Sequence, residues 1–267
     1  MKVVAICNRK GGCGKTTTAV NLAAEWAARG LRILLIDLDS QGHAGLGFGI
    51  RAGSRAPAVH AVFTRPDFDL REAIRDTEVE NVAVAPADPS FEGGSADQGV
   101  YALDRQLRLP SIAERFDVVI LDTPPSIGSL LINALAAADG ALVPMVPHAL
   151  SAEGIQQFSR LFFRVASMIK PDLRLLGIVP VMVNPRIGHQ RRVLEAVAAE
   201  FGAHRVVGGI RMDISLAEAF AAGEPIRAFA PNSRGASDYS DLADDVSHIW
   251  ELPRSTSRPM GHSNLGG

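Results

Sequence analysis

Cysteine and lysine are scarce in this 267-residue chain, and it carries no strong net charge. The two cysteines, Cys7 and Cys13, stand too close together for a disulfide framework, and no signal peptide precedes them, so a reducing cytoplasm is the expected compartment. No stretch approaches the roughly 20 apolar residues that cross a bilayer, which argues against an integral membrane protein. A formal charge of -2 and a pI near 6.4 give no global attraction to nucleic acid or anionic lipid, so any such binding has to come from a local patch. Only four lysines accompany 23 arginines, and two of the four, Lys10 and Lys15, share one glycine-rich loop, where a compact ammonium suits contact with phosphate. Internal repeats and domain linkers are absent as well.

With 47% hydrophobic and 21% charged residues, the chain can bury a large core. Short apolar runs predict strands at Val3 to Cys7, Arg32 to Asp37, Val82 to Ala85, Asp117 to Asp122, Ala141 to Val146, Leu175 to Val183 and Arg205 to Val207. Helices are expected between them, at Thr16 to Arg29, Leu103 to Arg115, Ser126 to Ala138, Ala152 to Ile169, Gln190 to Phe201, Ser215 to Ala222 and Ala236 to Glu251. This alternation implies a single α/β domain over residues 1–252, with a doubly wound, mostly parallel sheet flanked by helices. Residues 40–65 read as a switch-like loop with a short helix near Val59 to Phe63, and the polar tail from Pro253 onward is expected to be disordered.

The run Gly-Gly-Cys-Gly-Lys-Thr-Thr from Gly11 to Thr17 follows a strand and opens a helix, the context that a phosphate-binding loop requires. Glycines at Gly11, Gly12 and Gly14 let the backbone wrap closely enough for its N–H groups to face phosphate oxygens, and the helix start adds its positive end. Lys15 is expected on the β and γ phosphates, the Thr16 hydroxyl on Mg²⁺ and Thr17 on the α phosphate. The plain alternative is an ordinary tight turn. In Phe116-Asp-Val-Val-Ile-Leu-Asp122, Asp122 closes a strand at the edge where open α/β sheets bind ligands, a place to hold Mg²⁺, although such an aspartate can also cap a turn. Asp37 and Asp39 close another strand, and period-two alternation turns both toward one phosphate site; a solvated strand end with an Asx turn is the bland option.

These residues resemble the ParA/MinD group of deviant Walker A P-loop ATPases, and most closely its ParA-type partition and positioning ATPases. The resemblance covers nearly the whole chain, through Lys10 to Thr17, Asp37 to Gly42 (Asp-Leu-Asp-Ser-Gln-Gly), Leu121 to Ser126 (Leu-Asp-Thr-Pro-Pro-Ser) and Glu218 to Ile226. It implies ATP and Mg²⁺ as ligands, and a slow, partner-stimulated hydrolysis to ADP and phosphate. It further implies that Lys10 crosses a homodimer interface to the partner's ATP, as an arginine finger would. By the same resemblance Asp39 positions the attacking water and joins the metal site, Asp122 belongs to the Walker B motif, Cys13 lies in the nucleotide loop, and Asn184 and the segment around Glu218 lie near adenine. The everyday alternative for Lys10 is a solvent-exposed loop lysine.

Most relatives in such a group bind non-specific DNA as ATP dimers, and Arg186 matches a position used for that. Arg191, Arg192, Arg211, Arg227 and Arg234 are the residues that extend a patch, unless they are solvated or paired with glutamates such as Glu195, Glu200 or Glu224. The resemblance thus implies a nucleoid-associated switch that positions a cargo and answers to a cargo-linked stimulating partner. Some positions depart from the group: Cys13 replaces a residue such as Val, Ser40 replaces the usual Pro, and Ile210 to Ser215 carries less arginine than in DNA-binding relatives. Two rivals are a MinD-like membrane switch and a metabolic P-loop enzyme. The first needs a C-terminal amphipathic helix, which Pro253, Pro259 and the glycines of the tail do not favour, so no membrane is expected as a partner.

Overall fold

The computed structural model describes residues 1–50, 57–91, 98–126 and 128–252, and for residues 149–153 the backbone alone. The tail from Pro253 and part of the loop read over residues 40–65 therefore lie outside the described residues. The strands are β1 (Lys2–Ile6), β2 (Ile33–Asp37), β3 (Arg75–Asp76), β4 (Val82–Ala85), β5 (Val118–Asp122), β6 (Gly140–Met145), β7 (Arg174–Val183) and β8 (Ile210–Arg211). They form one sheet in the order β3-β4-β2-β5-β1-β6-β7-β8, parallel throughout except for the β3–β4 pair. The mostly parallel α/β architecture read from the alternating pattern is therefore the one observed.

The helices are α1 (Lys15–Ala28), α2 (His43–Leu46), α3 (Ala61–Thr64), α4 (Ala102–Leu107), α5 (Pro110–Ala113), α6 (Ser129–Ala137), α7 (Ala149–Met168), α8 (Gly188–Phe201), α9 (Ser215–Ala222), α10 (Ile226–Phe229) and α11 (Arg234–Trp250). Alternation along each central strand divides the core into two layers. Val3 and Ala5 of β1 join the layer beneath α3, α4, α6, α7 and α8, while Val4 and Ile6 join the one beneath α1 and α11. In the second layer Trp26 of α1 packs against Trp250 of α11, and its indole N–H donates to Ser247 Oγ at 3.0 Å.

Two sequence expectations are corrected. The single helix expected over Leu103 to Arg115 is two, because Leu109 is extended before Pro110, whose ring disfavours a helical predecessor and which has no N–H to donate. The strand expected at Arg205 to Val207 is not formed: residues 203–205 make a 3₁₀ turn, and Val206 contributes a lone bridge to Ile178. Pairing with β7 resumes at Ile210, beyond Gly208 at φ +59°, a turn that glycine makes at little cost.

Candidate functional site

Parallel register delivers three strand ends to one edge of the sheet. Asp122 at the end of β5 stands opposite Ile6 of β1 on one side and Asp37 of β2 on the other. The loop leaving β1 passes over this edge and enters α1 through Gly14. Gly12 and Gly14 hold φ of +68° and +79°, a left-handed conformation that favours glycine, and a β-carbon on Gly14 would meet Val181 at 3.4 Å, an ordinary contact. Asn8, which sequence reasoning did not single out, anchors the loop: its amide donates to the Pro144 carbonyl at 2.7 Å and its Oδ1 accepts from the Lys10 N–H at 3.0 Å. The rest of the loop keeps open space above it, with nothing within 4 Å of a β-carbon built on Gly11 or Gly12. That is the cradle that phosphate oxygens need.

Lys15 is buried, and its ammonium donates to the Lys10 carbonyl at 3.3 Å, so its charge stays within the loop. Lys10 is exposed, and its ammonium meets His148 Nε2 at the start of α7. Cys13 is buried with its thiol on the Lys10 carbonyl, and burial pushes its pKa up, which leaves it a packing residue rather than a reactive thiolate.

Asp122 is fully buried. Its Oδ2 accepts from the Thr16 hydroxyl at 2.7 Å, while Oδ1 has no hydrogen-bond partner among the described residues. Burial pushes the carboxyl up to about 7, against the opposing pull of the Thr16 hydroxyl and Lys15, and Asp39 adds to the rise. A desolvated carboxylate oxygen without a donor is costly unless a cation meets it. One hydroxyl and one carboxylate fit Mg²⁺, which binds few protein oxygens and keeps waters and phosphate. The described residues contain no group of three or more His, Cys, Asp or Glu that would cage a different metal. When bound there, the ion neutralises charge on the phosphate oxygens; Thr16 and Asp122 would hold it.

Asp37 and Asp39 do not play equal parts. Asp37 is buried, accepts from the backbone N–H groups of Ala44 at 2.8 Å and Gly45 at 3.4 Å, and thereby ties the start of α2 to β2. Burial first, and Asp122 second, raise its pKa. Asp39 is half-buried, and the contacts to its carboxylate are local, with Oδ1 accepting from Gln41 N–H at 3.1 Å. Behind it lies His60, buried and outside every motif. The Asp88 N–H donates to His60 Nδ1 at 2.9 Å, which makes Nε2 the protonated nitrogen that donates to the Leu38 carbonyl at 3.2 Å. Stacked 4.2 Å from Phe91, the ring fixes the residue before Asp39. A lone histidine in an apolar run carries no signal by which the sequence could have revealed it.

Beside the loop, a recess of ≈ 370 Å³ is lined by Thr17, Met182, Met212, Leu216, Phe220 and Tyr239 among others. Met182 reaches it from a β-bulge, at φ +54°. An adjoining recess of ≈ 480 Å³ holds Asn184, Arg186, Arg211 and Arg234. Glu218 is exposed on α9 and lines neither, although its neighbours Leu216 and Ala217 line the first. The six arginines are not one set. Arg186 and Arg234 are exposed at the second recess, and Arg191 and Arg192 are exposed on α8, with Arg191 3.9 Å from Glu195. Arg211 is held by the buried carboxylate of Asp238 at 2.6 Å, and Arg227 reaches Glu25 at 3.1 Å, where Arg29 also pairs.

A glycine-wrapped loop at the carboxyl edge of a parallel sheet, with a buried lysine, a threonine and a strand-end aspartate, defines a P-loop nucleotide-binding protein. The family model of the AAA domain matches residues 1–175. The chain is 36% identical to the sporulation initiation inhibitor protein Soj of Bacillus subtilis, covering 92% of this chain and 98% of that one. It is 37% identical to the chromosome-partitioning ATPase Soj of Thermus thermophilus, covering 91% and 94%. A crystal structure of cobyrinic acid a,c-diamide synthase from Mycobacterium smegmatis with bound ATP analog and magnesium superposes with a TM-score of 0.77 at 31% identity, covering 97% and 98%. The chain belongs to the ParA/Soj family of deviant Walker A ATPases, and it is an ATPase that works with ATP and Mg²⁺.

Proposed function

We propose that this ATPase is a dimerising switch that binds DNA non-specifically in its ATP form and so partitions or positions a cargo. In this reading it works in the cytoplasm on the nucleoid, and a cargo-linked partner accelerates its slow hydrolysis. The observation that carries it is the division of labour between two lysines. Lys15 is buried and serves its own loop, whereas Lys10 is exposed at the loop's mouth, where among the described residues its ammonium meets only a histidine nitrogen. An ammonium so placed is free to complete a neighbouring subunit's phosphate site, which would make association and turnover one event. Relatives named for chromosome partitioning support the same reading.

The DNA surface would comprise Arg186, Arg191, Arg192 and Arg234, while Arg211 and Arg227 are held by the carboxylates of Asp238 and Glu25. Adenine would enter the apolar recess beside Thr17, between Met182 and Phe220, with Asn184 in the adjoining recess. The test is sedimentation with a slowly hydrolysed ATP analogue. Wild type should dimerise and Lys10→Ala should stay monomeric; a wild-type chain that stays monomeric with the analogue overturns the reading.

The synthase similarity favours a second reading, an ATP-dependent enzyme acting on a small molecule. Turnover that is first order in protein and indifferent to Lys10→Ala would select it.

A further inference from the structure

A recess of ≈ 930 Å³ lies between the second half of α7, the start of β7 and the end of α8. Because β7 runs parallel to β6 and β1, its first residues stand at the amino edge of the sheet, opposite the phosphate loop. Neither ATP binding nor the proposed DNA surface uses this region.

The recess has an aromatic floor and a basic rim. Phe162, Phe163 and Phe201 line it, and a narrow apolar cleft lined by Phe158 and Ile155 leads from it into the core. Phe163 is 61% exposed, although the buried Phe162 touches it edge-on with centroids 5.7 Å apart. A phenylalanine left in water at the mouth of a concave surface marks a place where apolar area is gained only from another molecule. Around it stand Arg160, Arg174, Arg205 and His204. The Arg205 guanidinium donates to the Leu175 carbonyl, and no carboxylate of the described residues pairs with Arg160, Arg174 or Arg205. Elsewhere Arg29, Arg32, Arg71, Arg108, Arg115 and Arg211 have each found one. Glu200 is the single carboxylate among the described residues of the lining, and its Oε2 accepts from the Gln156 amide at 3.1 Å.

We propose that this recess docks an acidic segment of a partner protein through a bulky apolar anchor. The anchor would cover Phe163 and Phe201, and flanking carboxylates would take the planar, donor-rich guanidiniums of Arg160, Arg174 and Arg205. Duplex DNA suits the site less well, since it has no side chain to bury on Phe163 and would bring its phosphates toward Glu200.

The probe is a short labelled peptide with a central Trp-Leu pair flanked by Asp and Glu, titrated by fluorescence anisotropy with the full chain and no nucleotide. Saturable, salt-sensitive binding is expected, weakened about tenfold or more by R160E combined with R174E and about tenfold by F163S. The same peptide with Lys in place of its acidic residues should bind at least about tenfold more weakly. Basal ATP hydrolysis should be unchanged in these variants, which also shows that they fold. No binding, binding indifferent to both sets of variants, or equal binding of the basic peptide would overturn the proposal. So would duplex DNA that displaces the peptide and itself loses affinity in the arginine variant. Since nucleotide is absent, failure of the ATP-dimer reading leaves this outcome untouched.

Discussion

The phosphate loop and the arginine-bearing surface beyond β7 are built from different parts of the chain's chemistry. Between Gly11 and Thr18 the backbone itself shapes the site, with two left-handed glycines and one lysine buried beside them. Between Asn184 and Arg234 side chains make the surface, and their availability depends on which carboxylate each has met. A backbone site is intolerant of single changes, because every peptide group serves it. A side-chain surface degrades by increments, and some of its members do not belong to it at all.

The largest effect should come from breaking the loop. Lys15→Ala removes the one ammonium buried in the cradle and should lower ATP hydrolysis by about 10²-fold or more, with weakened nucleotide binding in an equilibrium titration. Next, Asp39→Ala should lower turnover by about 10²-fold while nucleotide affinity is retained, so that the ATP dimer accumulates on a sizing column. Wild-type turnover in this variant would remove Asp39 from the role of positioning water.

The surface should respond less steeply, and unevenly. Combining Arg186→Glu with Arg192→Glu should weaken binding to mixed-sequence DNA and flatten its salt dependence by about 0.9 in logarithmic slope for each phosphate no longer neutralised. Arg211→Ala and Arg227→Ala should instead lower the thermal midpoint and leave that slope in place, since each strips a partner from a buried carboxylate, Asp238 or Glu25. If Arg227→Ala changed the slope and not the melt, the division between the two kinds of arginine would fail.

The smallest effect concerns His60. Burial lowers its pKa below the usual imidazole value, so the folded chain prefers the neutral ring with Nδ1 free to accept. Its contribution to stability is full above the unfolded value of about 6.5 and is lost as pH falls through the lowered folded value. Thermal melts at about pH 5 and about pH 7.5 should therefore differ less in His60→Gln than in wild type.

The amino-acid sequence by itself determined the α/β alternation, the loop from Gly11 to Thr17 and the strand-end position of Asp122. These are local properties: a glycine must supply a positive φ where it stands, a buried parallel strand must be apolar along its length, and a strand's last residue lies at the sheet edge whatever its neighbours are. The tertiary structure decided what depends on contacts between distant segments. It gave Asp37 to the N–H groups of Ala44 and Gly45 while Asp39, among the described residues, kept local hydrogen bonds, and it set His60 behind Leu38. It also paired Arg227 with Glu25, 202 residues away, and Arg211 with Asp238. A charge in a sequence has no partner until the chain is folded, so which arginines are free is a property of packing and not of composition.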